Sequence, residues 1–125
     1  MLPGFETLTE KLNDYEQNIL LPIIVKGLRT KIEKQKIITG REIVTKMKLG
    51  GYKINGIRLR KIISVIREKN IIPGVVATSK GYFVSNDIET LTAHYKSLRQ
   101  RAAAINHIAD CMKEHLQKQI NPKPF

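Results

Sequence analysis

Residues 55–74 read NGIRLRKIISVIREKNIIPG, and this stretch decides how the rest of the chain is understood. At 100° per residue, Leu59, Ile62, Ile63 and Ile66 fall on one face, the i, i+3, i+4, i+7 stripe of a helix that buries one side. Asn55 stands where a helix N-cap belongs, so the helix is predicted from Gly56 to about Lys69. Opposite the aliphatic stripe lie Ile57, Lys61, Ser64 and Glu68. Arg58 flanks them on one side, Arg60 and Arg67 on the other. Four cations against one acid leave no salt-bridge lacing to account for the outer face, which points to a polyanionic partner.

The charge of the whole chain supports this reading. The 125 residues carry a formal charge of +11. Residues 26–80 hold fifteen Lys and Arg against Glu33, Glu42 and Glu68, whereas residues 1–25 are net acidic. Concentrated positive charge favours nucleic acid first and an anionic membrane second. The basic region lacks the exposed Trp, Phe and Leu face that an interfacial helix needs, so no membrane partner is expected. The longest apolar run, ILLPIIV over 19–25, is far too short to cross a bilayer. MLPGFETLTEKLND has neither the basic start nor the apolar run of a signal peptide, and the lone Cys111 leaves no internal disulfide framework. A cytoplasmic protein is expected.

Working outward, Asn13 with Glu16 forms a capping-box pattern that opens a first helix, Asp14 to about Thr30, kinked at Pro22. KIEKQK reads as a basic loop and Ile37-Ile38 as a short strand. Thr39-Gly-Arg-Glu42 is a second capping box, opening a helix over Arg41 to Lys48 that Gly50-Gly51 ends. After the 55–69 helix, IIPGVVATSKGYFV has β-branched and aromatic residues on either side of Ser79-Lys80-Gly81, a hairpin pattern. Asn86 is placed as the cap of a last helix running from Asp87 to about Lys118.

Two short helices followed at once by a hairpin resemble a winged helix-turn-helix, over residues 14 to 84. The ensemble is similar in layout to small winged-helix proteins carried by bacterial prophages and mobile elements. The expected fold class is mainly α with a small β-hairpin (α+β), a winged helix-turn-helix followed by a long C-terminal helix. The expected organisation is an arm over 1–13, the winged domain over 14–86, the long helix over 87–120 and a fraying tail over 121–125. The link LGGYKIN departs from the resemblance, being longer than the turn of a simple helix-turn-helix.

The resemblance implies that the 55–69 helix enters the major groove of double-stranded DNA, its N-terminal residues nearest the base edges. Arg58 and Lys61 would then donate to guanine O6 and N7, Ser64 would pair with several edges, and Ile57 would meet a thymine methyl. Arg60 flanks this face and Asn55 would reach a phosphate. Arg41, Lys46, Lys48 and Lys53 add positive charge from the preceding segment, with Arg41 at a helix N-terminus. Lys80 is the one cation at the hairpin tip. About six phosphate contacts would give a log–log salt slope of about −5. One of Tyr82 and Phe83 is expected to pack into the core, and so sparse an aromatic set argues for DNA over RNA.

The last helix carries a different pattern. Ile88, Leu91, Tyr95, Leu98, Ala102, Ile105, Ala109, Met112 and Leu116 alternate in threes and fours, a heptad seam of about 48 Å. So small a domain cannot cover that stripe, so Tyr95, Leu98, Ala102, Ile105, Ala109, Met112 and Leu116 are expected at a homodimer interface. A different protein partner on this helix is the alternative.

No enzyme, metal or cofactor is expected. His94, His107 and His115 form no ligand pattern with one another or with Cys111, and LGGYKING lacks the spacing of a phosphate loop. The first reading is therefore a dimeric, sequence-specific DNA-binding transcriptional regulator. The second is a non-enzymatic adaptor in replication or assembly, belonging to a phage or mobile element.

Overall fold

The computed structural model describes residues 10–120, so the first nine residues of the arm and the tail 121–125 lie outside it. The chain is mainly helical, with one two-stranded antiparallel hairpin and a long C-terminal helix. It divides into two units, one through Asp87 and one from Ile88.

In the first unit the chain enters through a capping box. The Glu16 amide donates to Asn13 Oδ1 (2.8 Å) and the Asn13 amide to Glu16 Oε1 (3.0 Å). A π-helical turn over Glu16–Leu20 runs directly into α1, Leu21–Leu28. Pro22 was expected to kink this helix. The wider turn instead comes just before it, where Pro22, having no N–H, would otherwise break the α-helical ladder. The KIEKQK segment contains a 3₁₀ turn, Lys34–Lys36. The strand expected at Ile37-Ile38 is reduced to a bridge from Ile38 to Tyr82, joined by a parallel bridge from Ile32 to Val84.

Thr39 and Glu42 close the second capping box and open α2, Gly40–Leu49. The link to the next helix is longer than a simple turn, but it is ordered. The Tyr52 amide donates to the Met47 carbonyl (3.0 Å) and the Gly51 amide to that of Lys48 (3.0 Å) around Gly51, whose φ of +87° suits glycine. Ile54 is buried, and the Lys53 amide donates to the Tyr15 hydroxyl (3.1 Å). α3, Gly56–Glu68, starts at Asn55, whose Oδ1 accepts the Arg58 amide (2.8 Å). Asn70, at φ +50°, ends it with the same kind of turn, the Ile71 amide donating to the Ile66 carbonyl.

β1, Val75–Thr78, and β2, Gly81–Val84, pair from Val75↔Val84 to Thr78↔Gly81, leaving Ser79-Lys80 as the two-residue loop. The core joins Leu20, Ile24 and Leu28 to Ile43 and Met47 of α2, the four stripe residues of α3, and Val75 and Val84 of the hairpin. Each such side chain contributes about 1.5–3 kcal/mol by leaving water. Phe83 is buried and Tyr82 half-buried against the core.

The second unit is α4, Ile88–Ile120, a 33-residue helix in which no residue is buried. It begins one residue later than expected.

Candidate nucleic-acid interface

α3 presents its surface as its periodicity requires. Leu59, Ile62, Ile63 and Ile66 are buried. Arg60 and Glu68 are exposed, while Lys61 and Ser64 are half-buried. Ile57 is also half-buried.

Arg58 is the main correction. Its guanidinium turns back toward the chain entry, donating from Nε to Glu16 Oε2 and from Nη2 to Glu16 Oε1, both at 2.7 Å. Nη1 donates to the Glu10 carbonyl (3.1 Å) and Nη2 to that of Lys11 (3.0 Å). The two side chains are 13% and 5% exposed. A guanidinium held in this way has no free fork for a guanine edge, and in this structure Arg58 clamps α3 to the N-terminal turn. The hydrogen bonds from Arg58, with that from the Asn13 amide, hold the Glu16 carboxyl below its ordinary value. The same pairing raises Arg58.

The other sequence-predicted cations come from several elements, and two of them line different clefts. Lys61 and Glu68 border a groove whose further wall includes Lys11, Gln17 and Leu21. Lys46 lies with Lys31 on a different cleft, between α1 and α2. Arg41 and Lys48 on α2 and Lys53 on the link are exposed, as is Asn55, whose Oδ1 already serves as the helix cap. Lys80 is exposed at the hairpin tip, its amide donating to Thr78 Oγ1 (3.1 Å). Among the described residues, Arg41, Lys46, Lys48, Lys53, Arg60, Lys61 and Lys80 have no salt-bridge partner.

Two acids escaped the sequence reading. Glu16 was visible only as a capping residue, because a bond to a residue 42 positions away leaves no local signal. Glu33, at φ +65° in the basic loop, accepts the Ser85 hydroxyl (2.9 Å to Oε2) and thereby ties the loop to the end of β2.

On α4 the expected seam is exposed: Ile105 is 66%, Met112 69% and Leu116 56% accessible. Tyr95, Leu98, Ala102 and Ala109 are exposed as well, with the Arg99 guanidinium 5.5 Å from the Tyr95 ring centre. His107 and Cys111, one turn apart, come within 3.9 Å. Among the described residues no group of three His, Cys, Asp or Glu side chains could hold a metal ion, and no helix is long and apolar enough to cross a membrane.

In comparisons with known proteins, the chain matches no family model, no curated protein and no solved structure.

Proposed function

We propose that the chain is a winged-helix protein that binds double-stranded DNA as a dimer, with α3 in the major groove. The observation carrying this reading is α3 itself. It is fixed to the core by four buried aliphatics and capped by Asn55, and it offers the unpaired cations Arg60 and Lys61 beside Ser64 on its outer side. The order around it supports the reading: a helix precedes it, a hairpin follows, and Ile38 and Ile32 bridge to β2 in the position of the third strand of a wing. With Arg58 committed to Glu16, base reading falls to Arg60, Lys61 and Ser64. Lys48, Lys53 and Arg41 serve as phosphate contacts. Transcriptional regulation in the cytoplasm is the role this chemistry fits, without catalysis or cofactor.

A second reading, an adaptor that holds nucleic acid loosely and a protein through α4, is favoured by the exposed stripe on that helix. Selection from random duplex DNA at two salt concentrations separates the two. A two-fold symmetric motif supports the regulator. Salt-sensitive binding without a motif supports the adaptor, and no binding at low salt overturns the DNA reading altogether.

A further inference from the structure

α1 faces α2 across a cleft of about 340 Å³. Its apolar walls are Ile24 and Leu28 on one side and Ile43 and Met47 on the other, and Ile38 also lines it. These five residues belong to the core, so the cleft opens directly onto the interior. A space of this size lies at the small end of the range of ligand sites.

Gly27 lines the cleft at its exposed side. On α1 it lies one turn after Ile23, at an exposed position from which a side chain would project into open space beside Ile24 and Leu28. Its φ is not left-handed, so its backbone does not require glycine. A Cβ built there would meet no atom within 4 Å, so crowding does not require glycine either. A helical glycine costs about 0.5–1 kcal/mol relative to alanine. What it gives in return is room.

The charged groups at this cleft are of one sign. Lys31 and Lys46 line it with Thr30 and Tyr52, and neither lysine has a carboxylate partner among the described residues. Apolar walls suit a compact hydrocarbon body, and two free ammonium groups suit a single anionic head. A phosphodiester backbone would satisfy the lysines but would leave the apolar walls unmatched.

We propose that this cleft is a binding site for a small amphipathic carboxylate with a ring or branched aliphatic body. The body lies against Ile24, Gly27 and Met47, and the head is held by Lys31 and Lys46. The site is separate from the DNA reading, and its test needs no DNA.

The experiment is a methyl-detected NMR titration of the full chain with hydrocinnamate, isocaproate and octanoate, each paired with the corresponding alcohol. For at least one acid, saturable shifts are expected at the Ile24, Ile38, Ile43 and Met47 methyls, with its alcohol at least about tenfold weaker, a difference of about 1.4 kcal/mol. Gly27→Leu should abolish the shifts while the fold, read from the remaining methyls, persists. The double variant Lys31→Gln/Lys46→Gln, which leaves the core untouched, should reduce the acid to the level of the alcohol. No saturable shift with any acid up to about 10 mM, shifts confined to α4, or equal binding of acid and alcohol would overturn the proposal.

Discussion

The Arg58 guanidinium and the Glu16 carboxylate form two parallel hydrogen bonds of 2.7 Å, joining the first turn of α3 to the turn that precedes α1. The pair draws in the Glu10 and Lys11 carbonyls as well, so one side chain holds the chain entry against the helix that carries the candidate DNA face. Arginine is the residue suited to this task, because its planar fork meets both carboxylate oxygens at once.

Removing one partner leaves the other as an enclosed, unmatched charge. Arg58→Ala is expected to destabilise the fold by about 3 kcal/mol in urea denaturation, and Arg58→Lys, which lacks the fork, to recover less than half of that. Where Arg58→Ala remains folded, the selected DNA motif should be unchanged. A changed motif would return Arg58 to the reading surface.

The same pair predicts a pH dependence. The carboxyl of Glu16 is lowered in the fold by its hydrogen bonds from Arg58 and from Asn13, relative to 4.5 in the unfolded chain. Between those two values the unfolded state binds the extra proton, so this stabilisation is full above about pH 4.5 and is lost as pH falls through the folded value. The stability difference between the wild type and Glu16→Gln should therefore shrink below pH 4.5. A difference that is flat from pH 7 to pH 2 would show that the charge on Glu16 contributes nothing.

Gly74 has φ +84°, and a Cβ there would run into the Ser85 carbonyl oxygen, whose own amide donates to the Gly74 carbonyl (2.9 Å). Gly74→Ala should destabilise the first unit by about 2 kcal/mol or more, combining left-handed strain with the displaced backbone. Thermal unfolding followed by circular dichroism would measure it.

α4 is a helix of 33 residues with no buried side chain, and its exposed apolar stripe is what the proposed dimer would cover. Sedimentation equilibrium should find a dimer, and Ile105→Glu with Met112→Glu should convert it to monomer while leaving the hairpin and α1–α3 intact. A wild-type monomer at micromolar concentration would remove the dimer from the proposed function.

On DNA, Lys53→Ala should weaken all sequences alike and reduce the salt slope by about 0.9, as loss of one phosphate contact does. Arg60→Ala and Lys61→Ala should instead relax base preference, by about 1–3 kcal/mol per base pair read. Equal effects from all three, measured by titration against the selected site and a scrambled one, would place the reading surface elsewhere.

The sequence by itself determined what local spacing encodes. Asn13, Thr39 and Asn55 marked helix starts because their side chains bond amides three residues on. The 59-62-63-66 stripe marked the buried face of α3, and the hairpin declared itself through β-branched residues around Ser79-Lys80. The concentration of charge was equally plain. The tertiary structure decided which of those charges face outward. Arg58 and Arg60 look alike in sequence, but Arg58 lies on the side of α3 that meets Glu16, and Arg60 lies on the exposed side. Lys46 and Lys61, both counted toward one interface, border different clefts. Helical periodicity fixes a residue's angle about its own axis, whereas what stands at that angle is set by packing between segments distant in the chain.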